Sequence, residues 1–256
     1  MINLDLLNRH LLTHKDATLP LVCYRHPELN LVFYPLQKSA SSTYVRLFAK
    51  LNWNVIDNND IDWNKDIVFA HIKDPLVRHR KGIVEGICEY FPEVADFFLT
   101  PVGAKFLTNI ATVETHSYTI HKWVGPENAA KVHWIPLDIG LDHKQLTFDF
   151  LERQGASVPM EKQQWFLQFS DQNKSNNNEL KLFNMLMAEQ TPGEILRYID
   201  FDRCLYSQVI NFYKSEPDNY GGRITQLLNS GCSQEQAESI ADSEVESNAH
   251  LNWNFN

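Results

Sequence analysis

The stretch from Leu31 to Leu51 limits what this chain can fold into more than any other part of it. Leu31–Tyr34 is an apolar strand; a lysine, Lys38, comes after it, then five small residues, Ser39 to Thr43, then the helical run Tyr44–Leu51. A strand that stops at a tight small-residue turn and opens a helix points consecutive backbone N–H groups outward. Those donors, the positive end of the helix dipole and the Lys38 ammonium together make an anion pocket. The hydroxyls of Ser39, Ser41, Ser42 and Thr43 fall at the same spot. A plain strand–turn–helix corner, whose hydroxyls only cap the helix, uses the same residue types.

A second segment repeats the arrangement. Ile67–Ile72 is a continuously apolar strand apart from His71, as expected of a central strand covered on both faces. It ends at Lys73; Asp74 suits a helix cap, Pro75 suits the first helical position, and Arg78 and Lys81 lie on the first two turns. Lys73 and Lys81 can both face one anion, with Arg78 sharing it or bracing the loop. A solvated basic helix face is the alternative.

The ordered pair of motifs resembles the two cofactor signatures of sulfotransferases that use 3′-phosphoadenosine 5′-phosphosulfate (PAPS), most closely those of the carbohydrate branch. Lys38-Ser39-Ala40-Ser41-Ser42-Thr43, with Gln37 before it, is similar to their 5′-phosphosulfate loop. The segment from Phe69 to Lys81 resembles their 3′-phosphate site, with Asp74, Pro75 and Arg78 matching directly. Lys73 stands where the family has arginine, and Lys81 where it has a phosphate-binding serine. Both keep a donor, and Lys81 adds charge, but lysine lacks the bidentate fork of arginine. Only 35 positions separate Lys38 from Lys73, fewer than in most relatives. Glu114-Thr115-His116 before the strand Lys131–Leu137 is similar to an acidic–spacer–histidine pattern of some carbohydrate sulfotransferases.

The resemblance implies an O-sulfotransferase that moves the sulfuryl group of PAPS to a hydroxyl of an unidentified, carbohydrate-like acceptor. Lys38 would stabilise charge on the leaving oxygen. Gln37 to Thr43 would hold the 5′ end of the cofactor, and Lys73, Arg78 and Lys81 the 3′-phosphate. The acceptor proton needs a base; His116 comes first, with Glu85, His71, Asp57, Asp60 and Asp62 also open. A residue such as Glu85, four after Lys81, also reads as a simple helix pair with it. Two other readings stand beside this one. A non-catalytic nucleotide-binding or interaction protein would keep the two sites without turnover. A P-loop phosphotransferase is disfavoured, because its glycine-rich motif is lacking and no glycine occurs before Gly82.

Charge and composition narrow the partners. The formal charge of −9 disfavours a nucleic-acid binder and a long polyanionic acceptor. Four scattered cysteines, Cys23, Cys88, Cys204 and Cys232, form no CxxC pair and read as reduced. The histidines show no metal-ligand spacing, so no metal is expected. No apolar run approaches 18 residues and no leader pattern opens the chain, so a soluble, cytoplasmic protein is expected.

The alternation of strands and helices predicts an α/β fold: a three-layer core on a central parallel sheet, a P-loop-like strand–loop–helix cofactor site, and a helical C-terminal part. Strands are expected at Leu19–Tyr24 and Leu29–Tyr34, as a hairpin or two neighbouring strands around Arg25-His26-Pro27-Glu28, and at Trp53–Ile56, Ile67–Ile72 and Val132–Leu137. Helices are expected at 4–14, 75–91, twice within 93–113, and at 144–154, 178–189 and 193–213. Residues 170–178 read as a polar surface loop. Residues 1–215 form the expected α/β domain and 216–256 a helical extension with a loose end.

Overall fold

Two apolar segments joined by only five residues, His26 to Asn30, can pair only as an antiparallel hairpin. In the computed structural model, which describes residues 21–113, 115–168 and 177–215, they do: β1 (Val22–Arg25) pairs antiparallel with β2 (Leu31–Phe33), Tyr24 opposite Phe33. β3 (Asn54–Asp57) pairs antiparallel with the other edge of β1. β2, β4 (Ile67–Ile72) and β5 (His133–Pro136) run parallel, with Phe33 beside Phe69 and Ile72 beside Pro136. The order is β3-β1-β2-β4-β5. The sheet is therefore mixed and open: β2, β4 and β5 make the parallel centre, and the hairpin adds the antiparallel strands β1 and β3 to what was expected as a parallel sheet. The short hairpin connection is the physical reason, since a parallel pair needs a crossover of a dozen residues or more.

Eleven α-helices surround the sheet among the described residues. They are α1 (Ser41–Lys50), α2 (Pro75–Tyr90), α3 (Pro92–Phe98), α4 (Pro101–Leu107), α5 (Ile120–Val124) and α6 (Pro126–Ala129), then α7 (His143–Arg153), α8 (Met160–Gln168), α9 (Asn177–Ala188), α10 (Gly193–Tyr198) and α11 (Asp200–Ser215). Strand side chains alternate between two cores. Leu31, Phe33, Phe69 and Ile135 face α1, α7 and α8 through Tyr44, Phe48, Phe150 and Phe166. Val32, Val68, Ala70 and Trp134 face α5 and α11 through Trp123, Phe201 and Leu205. A third cluster joins α2 to α3, α4 and α9.

Local signals set the boundaries. Asp74 accepts a hydrogen bond from Val77 N at 2.9 Å and Pro75 is the first residue of α2. Thr100 accepts from Gly103 N at 3.1 Å, dividing α3 from α4. The expected helix 193–213 is two helices, broken at Ile199. The helix expected at 4–14, the extension 216–256 and most of the loop 170–178 lie outside the described residues. No helix among the described residues is long and apolar enough to cross a membrane.

Candidate functional site

β2 and β4 are neighbours and parallel, so the turns leaving their carboxyl ends emerge on the same side of the sheet. Tyr34 N extends the pairing by donating to Phe69 O at 2.9 Å. The chain then turns: Ser39 N donates to Leu36 O at 3.2 Å, and Thr43 N and Tyr44 N donate to Ala40 O at 3.1 and 3.3 Å. Lys38 and Ala40 hold φ of 60° and 55°, left-handed values that residues with a Cβ seldom adopt. No side chain caps α1, and the N–H groups of Ala40 and Ser41 meet no backbone carbonyl among the described residues. The Ser39 hydroxyl is buried without a hydrogen-bond partner. Ser41 is half-buried, Ser42 exposed and Thr43 buried. The Lys38 ammonium forms an ion pair with Glu85 on α2. Glu85 thus reaches across to the turn, where local helix spacing pointed to Lys81.

At the end of β4, Lys73 is half-buried and close to the charge of Lys81, which is exposed and sits 5.6 Å from the centre of the Phe183 ring on α9. Burial, and then the Lys81 charge, hold the Lys73 ammonium below its ordinary pKa; Asp138 and Asp74 oppose the shift. Neither lysine forms a direct ion pair among the described residues. Asp138 is committed elsewhere: it accepts from Asp74 N at 2.7 Å and from the Tyr206 hydroxyl at 2.7 Å.

Arg78 is the largest side chain buried completely. It donates to Asp202 on α11 at 2.9 Å, to Tyr118 O, and to Gln37 O at 3.4 Å. Asp202 also accepts from Ile120 N at 2.8 and 2.9 Å. Burial pushes the Asp202 carboxyl up to about 6, against the pull of Arg78. Of the two roles open to Arg78, the geometry gives it the bracing one: its guanidinium ties the carbonyl of Gln37, at the mouth of the turn, to α11.

His116 lies on a 3₁₀ turn, Thr115–Ser117, whose backbone rests on α2 at Gly82. A Cβ at Gly82 would collide with the His116 carbonyl and come within 2.7 Å of Ser117 Cα. Only glycine lets the turn come this close, which places His116 on the helix that carries Lys81 and Glu85. Glu114 lies outside the described residues. His71 is buried, stacked on Tyr44 at 3.7 Å and bonded to Thr147 at 2.9 Å. Burial and the neighbouring His143 push it well below its ordinary pKa. Asp57 and Asp60 form a capping box on their own turn, and Asp62 pairs with Lys65 at 2.9 Å. Among the possible bases, Glu85 and His116 are the two carried on or against α2.

Asp138, Asp202 and the role of Gly82 were not legible in the sequence. Asp202 lies 124 positions from Arg78 and no local pattern connects them. Gly82 carried a weak signal, as the first glycine in the chain and one in mid-helix, where glycine costs stability. Cys23, Cys88 and Cys204 are free thiols, and no group of three or more potential metal ligands occurs among the described residues. Compared with protein-family models, curated proteins and solved structures, the chain has no match in any of the three.

Proposed function

We propose that this chain is an O-sulfotransferase that takes its sulfuryl group from PAPS. The observation that carries the reading is the Lys73–Lys81 contact: two ammonium groups side by side without a directly paired carboxylate, one strand over from the Lys38 turn. Like charges held together raise each other's energy until an anion lies between them. A nucleotide with phosphates at its 3′ and 5′ positions is an anion with two such centres.

The residues fit that group. Lys38, the N–H groups of Ala40 and Ser41, and the hydroxyls of Ser39, Ser42 and Thr43 would hold the 5′-phosphosulfate, making the turn a P-loop-like anion cradle. Lys73 and Lys81 would hold the 3′-phosphate. Gln37 contributes through its backbone, fixed by Arg78. When bound, PAPS supplies a sulfuryl group on a phosphate leaving group. Lys38 sets positive charge where the leaving oxygen gathers negative charge, and N–H donors already held in place need little reorganisation. The acceptor hydroxyl gives its proton to Glu85 or to His116, whichever variant shows the selective rate loss. The acceptor is a hydroxyl compound, with carbohydrates the class the motifs favour.

One observation favours a second reading, a non-catalytic anion-binding protein: Glu85 already neutralises Lys38. Labelled PAPS incubated with sugars, glycolipids, phenols and small alcohols separates the two. Transfer to any of them supports the enzyme, and Lys38→Ala should then lower turnover about a thousand-fold without unfolding the protein. Tight 3′-phosphoadenosine 5′-phosphate (PAP) binding with no transfer supports the binder. Stabilisation by ATP–Mg²⁺ but not by PAP overturns the PAPS reading in favour of a P-loop phosphotransferase.

A further inference from the structure

The two cationic ends of the site differ in one respect. Lys73 and Lys81 form no direct ion pair among the described residues, Asp138 and Asp74 acting on Lys73 only through their charge, whereas Lys38 comes with a counter-ion of its own. The Lys38 and Glu85 side chains are 16% and 34% exposed, so the pair is partly shielded and stronger than one in open water. Glu85 lies four residues after Lys81 on α2, hence on the same helix face about 6 Å further along the axis. One helix therefore carries a lysine toward one end of the site and a carboxylate toward the other.

We propose that Glu85 is a specificity-determining residue: its carboxylate occupies the Lys38 end of the site as a built-in anion, which a ligand's 5′ anion must displace, while the Lys73–Lys81 end is open to anions directly. The assignment of a 5′ and a 3′ anion to the two ends rests on the proposed PAPS function. The consequence is selective. A small single anion gains at Lys38 little more than it loses by expelling Glu85, so the turn discriminates against it. A ligand already held at Lys73 and Lys81 competes with Glu85 from the bound state, at a high effective concentration. Once displaced, Glu85 is released beside the reacting end.

Calorimetry on the full chain tests this with PAP, adenosine 5′-phosphate and adenosine 3′-phosphate. Three proteins are compared: wild type, Glu85→Gln and Glu89→Gln. The last removes the same charge one turn further along α2, at an exposed position. Glu85→Gln should bind PAP and adenosine 5′-phosphate roughly five- to thirty-fold more tightly, between the values for exposed and buried charge pairs. It should bind adenosine 3′-phosphate within about two-fold of wild type, and Glu89→Gln should leave all three affinities there. Unchanged or weaker PAP binding in Glu85→Gln overturns the inference and leaves the PAPS function standing. So does equal tightening of all three ligands, which would mark a general charge effect. If PAP binds none of the proteins, the PAPS function fails and the inference with it. Thermal unfolding confirms that each variant is folded, and Glu85→Ala carries the same test should Glu85→Gln not be.

Discussion

Lys38 and Ala40, at φ of 60° and 55°, show at the scale of single residues how the candidate turn is made. A residue with a Cβ spends roughly 1 kcal/mol to sit in this region, so the turn stores about 2 kcal/mol that the flanking β2 and α1 must hold. Glycine would relieve the strain at Ala40, yet it gives the unfolded chain more freedom. Ala40→Gly is therefore expected to stay within about 1 kcal/mol of wild type in urea unfolding. Ala40→Val should lose about 1–2 kcal/mol, because a β-branched side chain fits poorly at positive φ. If valine is tolerated as well as glycine, the turn is not under the strain its angles describe. The lysine and the small residues were legible in the sequence because residue type alone marks such a turn. The partner of Lys38 was not, since Glu85 lies beyond α1, β3 and β4, well into α2. Arg78 fitted both a phosphate ligand and a brace by sequence position; only its burial against Asp202 separates the two.

At the scale of elements, α2 is the part that organises the site, and its start was readable from Asp74 and Pro75. What its faces do was not readable, because each contact comes from a distant segment. Arg78 ties it to α11, Gly82 receives the 3₁₀ turn of His116, and Glu85 reaches the Lys38 turn. The short helices α5 and α6 also escaped prediction; five and four residues carry too little periodicity to register. Two substitutions test the organising role. Gly82→Ala forces a methyl into the His116 carbonyl and should cost about 1–3 kcal/mol in chemical denaturation. Asp202→Ala leaves the buried Arg78 charge and the Ile120 N–H without their acceptor. Removing one member of a buried pair costs on the order of 3–5 kcal/mol, so this variant should be the less stable of the two. A melting temperature near that of wild type for Asp202→Ala would mean that the pair is not a structural tie.

For the molecule as a whole, strand–helix alternation made the α/β class legible. The hairpin of β1 and β2 was legible in the short connection between two extended runs, whereas the antiparallel pairing of β3 with the outer edge of β1 was not. Nothing in the sequence pattern shows which histidines are sealed in, and that sets how the whole chain responds to acid. Burial lowers His79 and His133 to about 4 and His71 well below its ordinary range. His79 bonds to Ala111 O at 2.7 Å, and His133 stacks on Phe150 at 4.2 Å. Between pH 6.5 and about 4 the unfolded chain binds protons at these sites that the folded chain refuses. Stability is therefore present in full above pH 6.5 and is lost as pH falls toward 4. At pH 5 each of His79 and His133 accounts for a loss of about 2 kcal/mol. Asp202, raised to about 6, works the other way, since the folded form holds a proton that the unfolded form gives up. It returns about 1 kcal/mol at pH 5, and Asp74, raised by burial, adds in the same direction. The histidines, His71 included, outweigh the two carboxyls, so urea unfolding at pH 5 should show a stability on the order of 3 kcal/mol below that at pH 7. His133→Phe, which keeps a ring against Phe150 and cannot be protonated, should remove about two-thirds of that difference. Stability that rises from pH 7 to pH 5 would mean that the buried carboxyls dominate and that the histidines are open to water.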